Sequence, residues 1–147
     1  MDEILIREMQ EHDIPEILEI ERVSFSSPWS EAAFFCEINK SYSVTRVAVS
    51  GNLIIGYICV NYVLDECHIL NLAVHPDFRR KGMATVLMKE VLQELRQKDC
   101  RFFYLEVRMS NMSAQRFYER FGFRVVGIRK KYYMSPVEDA ALMMLRM

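Results

Sequence analysis

A continuous apolar run, Ile69 to Val74, meets a turn at His75-Pro76-Asp77-Phe78, then the basic loop Arg79-Arg80-Lys81-Gly82-Met83-Ala84, and then a long amphipathic segment reaching Leu95. Ala84, Leu87, Met88, Val91, Leu92 and Leu95 recur at i, i+3, i+4, i+7, i+8 and i+11, while Thr85, Lys89, Glu90, Gln93 and Glu94 fill the opposite face. That spacing predicts a strand, a loop and a helix buried along one face. Glycine at position 82 lets the backbone approach a ligand closely, and the first amides of a helix have no partners within it. Together with the positive helix end, Arg79, Arg80 and Lys81 make this loop a candidate anion site.

The residues around this unit extend the pattern. Ile4 to Arg7 alternates as a short strand, and Asp13 with Pro15 suits the start of a helix whose apolar face is Ile14, Ile17, Leu18 and Val23. Ser30 followed by Glu31 predicts a second helix start, running through Phe34, Phe35 and Ile38. The lone Trp29 before it reads either as an apolar plug or as the wall of a substrate groove. Val44–Val49 and Leu53–Val63 flank Gly51-Asn52, a hairpin signal because both residues tolerate positive φ. Gly56 inside the second strand predicts a bulge or a close backbone approach, and Asp65-Glu66 turns the chain into the strand that opens the central unit.

Beyond the long helix, Phe102 to Val107 reads as a strand buried on both faces and interrupted by one carboxylate, Glu106. A strand, a helix and another strand imply a parallel pair. Asn111 then caps a short helix with the stripe Ala114, Phe117, Tyr118 and Phe121, closed by Gly122, and strands at Phe123–Lys130 and Ala140–Leu145 follow around a Ser135-Pro136 loop. The expected order is β-α-α-β-β-β-α-β-α-β-β, an α/β class. A chain of 147 residues with 51% hydrophobic residues suits one domain, 1–147.

Charge and composition narrow the function. With 19 basic and 20 acidic residues the net charge is -1, so no overall field draws the chain to nucleic acid or to an anionic membrane. No apolar run approaches the roughly 18 residues of a membrane span, and the acidic start Met1-Asp2-Glu3 lacks the basic region of a secretory signal, so a cytoplasmic location is expected. Cys36, Cys59, Cys67 and Cys100 show no C-x-x-C spacing and read as buried small apolar residues, and neither they nor His12, His68 and His75 have the spacing of a zinc site. No metal is expected. The loop also lacks G-x-x-x-x-G-K-[ST] and no G-x-G-x-x-G follows a strand, leaving a diphosphate held mainly by backbone amides.

Set against known families, Arg79-Arg80-Lys81-Gly82-Met83-Ala84 resembles the R/Q-x-x-G-x-G/A signature of the GNAT acetyltransferases, with Ala84 where many members have Gly. The blocks Ser27-Pro28-Trp29-Ser30-Glu31, Asn71-Leu72-Ala73-Val74, Leu105-Glu106-Val107-Arg108 with Ser110-Asn111, Phe117-Tyr118-Glu119 and Arg129 through Tyr133 are similar to the bacterial RimI type within that family. The resemblance implies a mixed, twisted sheet of about six to seven strands with helices on both faces. It implies acetyl transfer from acetyl-coenzyme A to the N-terminal alanine of a small-subunit ribosomal protein, the eighteenth. Loop residues Arg79 to Ala84 with Thr85 would hold the pyrophosphate, Leu72, Ala73 and Val74 the pantetheine arm, and Asn111 the coenzyme as well as its helix. Alternatives are a GNAT enzyme for another terminus, a lysine or a small amine, and a non-catalytic GNAT subunit. Oligomeric state stays open.

The chemistry needs a neutral amine, a polarised carbonyl and a proton for the departing thiolate. Glu106, set among apolar neighbours, is expected to have a raised pKa and to serve as base. By resemblance Tyr118 is the proton donor, its phenol near roughly 10 against roughly 8.5 for a thiol. Neither the cysteines nor their surroundings offer a base, so direct attack in a ternary complex is favoured over a covalent relay. Tyr132 and Tyr133 are expected either to sit in a solvated charge run or to close over the bound peptide terminus.

Overall fold

The computed structural model describes residues 3–147, and the acidic start Met1-Asp2 falls outside them. The chain folds as β1 (Ile4–Glu8), α1 (Ile14–Ser24), α2 (Glu31–Ile38), β2 (Ser43–Ser50), β3 (Leu53–Val63), β4 (Glu66–Val74), α3 (Met83–Arg96), β5 (Phe102–Arg108), α4 (Met112–Glu119), β6 (Arg124–Met134) and β7 (Val137–Arg146). One seven-stranded sheet takes the order β1-β2-β3-β4-β5-β7-β6. All neighbours are antiparallel except β4 and β5, which the helical crossover makes parallel.

Two cores lie on opposite faces of the sheet. Leu87, Met88, Val91 and Leu95 of α3 pack on Ile58, Ile69, Phe103 and Leu105. On the other face Ile17, Ile20 and Phe34 pack on Val47, Tyr57 and Cys59. Helix α3 buries the stripe its spacing predicts, and burial of such stripes is the main force holding helices to a sheet.

Several local expectations change. Asp13 precedes α1 without capping it: its carboxylate accepts from the Gln10 amide at 2.7 Å and takes a bidentate pair from Arg7 at 2.8 Å. Val23 is exposed, and Ile20 with Glu21 occupies its expected place on the buried face. Phe35 and Cys36 also face solvent on α2, whose inward face is Phe34 and Glu37. Ser30 does cap α2, accepting from Ala33 N at 3.1 Å. In the β2–β3 turn only Gly51 takes positive φ, at 61°. The next turn lies at Leu64-Asp65, since Glu66 already pairs with Val63.

Gly56 meets both of its expectations. An added Cβ there would lie 3.1 Å from the Ala73 carbonyl oxygen and 3.1 Å from a Leu87 methyl, and the β2–β3 register shifts beside it. The last hairpin is longer than predicted. Strands β6 and β7 continue to Met134 and Val137, with only Ser135-Pro136 between them, so Tyr132 and Tyr133 lie on a strand. A register irregularity between Arg129 and Tyr133 hid that continuity from simple alternation.

Candidate active site

The site begins where one pair of strands parts. Strands β4 and β5 are paired only at Glu66–Phe102, Cys67–Phe103 and His68–Tyr104. In β4 the register against β3 then shifts, Cys59 pairing with Asn71 and Val60 with Ile69, so Leu70 is an extra residue. A bulge bends its strand and interrupts alternation. Beyond it β4 turns away from β5, and the backbone edge of Leu72, Ala73 and Val74 opens onto a cleft instead of another strand.

That cleft, about 690 Å³, runs from Leu72, Ala73 and Val74 to the loop at the start of α3 and is walled by Asn111 and Tyr118. Gly82 ends the loop in the left-handed region at φ 79°, where a side chain would be strained, and nothing lies within 4 Å of the position of its missing Cβ. Arg80 is left-handed too, at φ 63°, a strained conformation for a residue with a Cβ and one that clusters at ligand sites. The first helical bond runs from Val86 N to Gly82 O at 3.1 Å, so the Met83, Ala84 and Thr85 amides precede it. The three basic residues differ in use. Arg80 lines the cleft, whereas Lys81 lies outside its lining, over the Phe78 ring at 5.4 Å. Arg79 also lines it, but its guanidinium is engaged, donating to Val74 O and to Ser24 Oγ at 3.0 Å each. It braces the loop against β4 and α1.

A second cleft, about 420 Å³, adjoins the first across Leu72, Asn111, Ala114 and Tyr118, and Glu106 lies on its wall. Strand β5 is buried on one face only: Phe103, Leu105 and Val107 enter the core while Tyr104, Glu106 and Arg108 point the other way. The expectation of burial on both faces is therefore corrected. So is the raised pKa of Glu106. Burial does push this carboxyl up, with its side chain only 6% exposed, but His68 Nε2 at 2.5 Å from Oε1 and Arg129 Nε at 3.1 Å from Oε2 outweigh it. The net shift is downward. The apolar neighbours in sequence project to the opposite face, which is why they mislead.

Tyr118 sits where the two clefts meet. Burial, and then neighbouring Tyr133, raise its hydroxyl well above the ordinary phenol range. The group stays protonated, and as a donor to a sulfur anion it offers a hydrogen bond more readily than the proton itself. Asn111 caps α4, its side chain accepting from Ala114 N at 3.0 Å, and still lines both clefts. Trp29 packs on Phe34 at 5.1 Å between ring centres, as the plug expectation has it, and it also lines the second cleft.

Sequence reasoning missed two groups here. Glu21, 1% exposed, accepts from Tyr57 Oη at 2.6 Å, Asn71 Nδ2 at 2.9 Å and the Trp29 amide at 2.9 Å, and so anchors the loop that walls the cleft. Only its place on the apolar stripe of α1, one residue past Ile20, marked it. Arg108 lies under the Tyr133 ring at 4.3 Å and donates to Ser26 Oγ, Ser135 O and Pro136 O, clasping the loop after α1 to the β6–β7 turn. Among the described residues no group of three or more His, Cys, Asp or Glu side chains gathers as a metal site, and no helix is long and apolar enough to cross a membrane.

A sheet forked beside a helix N-terminus, with one cleft reaching the amides and a second reaching a carboxylate, defines an α/β protein with a two-cleft site. The acetyltransferase (GNAT) family model matches residues 14–123, and the chain belongs to that family. It is 34% identical over 135 residues to the [ribosomal protein bS18]-alanine N-acetyltransferase of Salmonella typhimurium, with 90% of each chain covered. The crystal structure of the ribosomal-protein-S18-alanine N-acetyltransferase from Escherichia coli superposes with a TM-score of 0.90 at 30% identity, covering 98% of this chain and 94% of that one. Arabidopsis thaliana NAA60 in complex with acetyl-CoA shares the fold at a TM-score of 0.88 and 24% identity, covering 99% of this chain and 100% of that one.

Proposed function

We propose that this protein transfers acetyl from acetyl-coenzyme A to the N-terminal amine of a ribosomal protein of the bS18 kind, by direct attack within a ternary complex. The observation that carries the reading is the fork itself. The first cleft offers an unpaired strand edge and free helix amides to an elongated, diphosphate-bearing thioester, and the second places Glu106 beyond the junction, where an amine would enter. The names of the relatives supply the substrate.

In this reading the Met83, Ala84 and Thr85 amides with Arg80 hold the pyrophosphate, and Leu72, Ala73 and Val74 hold the arm through their backbone groups. Glu106 removes the proton from the substrate ammonium, directly or through one water. The amine nitrogen then forms its bond to the acetyl carbon as the carbon–sulfur bond breaks, the second proton that the nitrogen sheds on becoming an amide is taken up by the leaving sulfur as a thiol, and Tyr118 donates its hydroxyl hydrogen bond to that sulfur. Asn111 serves both its helix and the coenzyme. Phe25, Trp29 and Tyr133 flank the path of the peptide.

The test is acetyl transfer to a peptide beginning with alanine, beside the same peptide blocked at its amine. Transfer to the free peptide alone is expected. Equal transfer to both would overturn the terminal-amine reading, and transfer to lysine or a small amine alone would move the activity to another acceptor.

A further inference from the structure

Arg108 stands two residues beyond Glu106 on β5, and the two-residue repeat of a strand puts both side chains on one face of the sheet, along the wall of the second cleft. An arginine carries its N–H donors in one rigid plane. Here each terminal nitrogen donates twice. Nη1 reaches Pro136 O at 3.0 Å and Glu138 Oε1 at 3.1 Å, and Nη2 reaches Ser26 Oγ at 3.2 Å and Ser135 O at 3.1 Å. The guanidinium also lies 4.3 Å from the centre of the Tyr133 ring, within cation–π range.

These partners belong to separate segments. Ser26 is in the loop between α1 and α2, Tyr133 lies near the end of β6, Ser135 and Pro136 form the turn after it, and Glu138 is on β7. The loop and the hairpin both wall the second cleft, and Ser27 Oγ adds a bond between them, donating to Ser135 O at 3.2 Å. Glu138 is itself fixed, its Oε2 accepting from the Ser110 amide at 2.7 Å. None of these side chains joins either hydrophobic core, and those of Arg108 and Glu138 are 19% and 22% exposed. An ion pair so placed adds little to stability. What the clasp does set is the separation of loop and hairpin on the cleft that holds Glu106. Arg108 takes no part in lining the first cleft.

We propose that Arg108 is the positioning residue of the acceptor cleft, holding the α1–α2 loop, Tyr133 and the β6–β7 turn at the spacing that grips a peptide chain whose amine lies at Glu106. The inference rests on the reading of the second cleft as the entry of the amine. The grip falls on an extended acceptor that touches both walls, because the clasped segments lie along the path and not at the reacting atoms. A short acceptor gains little from it, and the coenzyme nothing. Lysine cannot replace this arginine, since an ammonium is a point charge with three donors and lacks the planar fork that spans four acceptors.

The experiment measures steady-state acetyl transfer by the full chain and its R108K and S26A variants to an alanine-starting dipeptide amide and an alanine-starting octapeptide, with thermal unfolding alongside. In R108K the KM for the octapeptide should rise about tenfold, the scale of a lost charge-assisted hydrogen bond, while KM for acetyl-coenzyme A and for the dipeptide stays at the parent value. S26A removes one acceptor at the surface and should raise the octapeptide KM about threefold. A parent-like octapeptide KM in R108K, or in S26A should R108K not fold, overturns the proposal. So does an equal rise in all three KM values, the mark of general loosening. A parent enzyme that acetylates neither acceptor removes the terminal-amine reading and the clasp with it, whereas an active parent beside an unaffected R108K removes the clasp alone.

Discussion

The Glu21→Ala substitution strips one acceptor from three donors at once. The Tyr57 hydroxyl belongs to a side chain with no exposure, Asn71 is 7% exposed, and the third donor is the Trp29 backbone amide. A buried donor left unsatisfied costs roughly 1–3 kcal/mol, and removing the buried charge offsets part of the total. A net loss of about 3–5 kcal/mol follows, or a fall in Tm of about 10 °C for a chain of this size. Urea and thermal unfolding would read it, with Tyr57→Phe and the double variant completing a cycle. A coupling energy of about 1–2 kcal/mol between the two positions is expected, because removing both partners leaves fewer orphans than removing one. Burial, and then the adjacent Glu21 carboxylate, hold the Tyr57 hydroxyl well above its ordinary range, so the coupling should persist at alkaline pH. A loss below about 1 kcal/mol, or additive single effects, would refute the reasoning, because water would then be satisfying these donors.

Other outcomes follow from single features. Gly56→Ala forces a methyl to 3.1 Å from the Ala73 carbonyl oxygen and should destabilise by about 1–3 kcal/mol in urea unfolding. Gly82→Ala meets no neighbour, so its left-handed strain of about 1–2 kcal/mol is the whole expected stability cost, while KM for acetyl-coenzyme A rises in steady-state assays. Because the Glu106 carboxyl lies below its ordinary range, it stays ionised above mildly acidic pH; kcat/KM should therefore rise through the amine's range near roughly 7.7–8.0 without a separate rise from Glu106. For Asp13, burial pushes the carboxyl up, but the Arg7 pair and the Gln10 amide pull it lower overall, so its stabilisation is full at neutral pH and lost as pH falls through the folded value. Asp13→Asn should be destabilised by about 1–2 kcal/mol at neutral pH, allowing for the partly exposed Arg7, and the difference should vanish at the acid end of an acid-unfolding series, below the ordinary aspartate range.

The order of elements was legible because each rests on a local rule. The 3.6-residue stripe of α3, the Ser30 and Asn111 caps and the Gly51-Asn52 turn act within a few residues. The loop proposed to hold the coenzyme stands out for the same reason, since a glycine, basic residues and a helix start are contiguous in the chain. Where reading failed, the cause lies between elements. Phe103, Leu105 and Val107 around Glu106 predicted an apolar surrounding, yet alternation along a strand sends them to the opposite face.

Residues 38 and 23 positions away in the chain set the charge state of Glu106 instead. A single added residue, Leu70, opens the sheet, and one strand of sequence cannot reveal a register shift that exists only relative to its neighbour. Glu21 gains its role only because the fold brings Tyr57, Asn71 and the Trp29 amide around it. Periodicity and capping are local properties of the chain, so the sequence alone carried the elements and pointed to a candidate anion loop. Pairing, burial and charge compensation depend on distant segments meeting, so the fork and the charge state of Glu106 belong to the folded molecule.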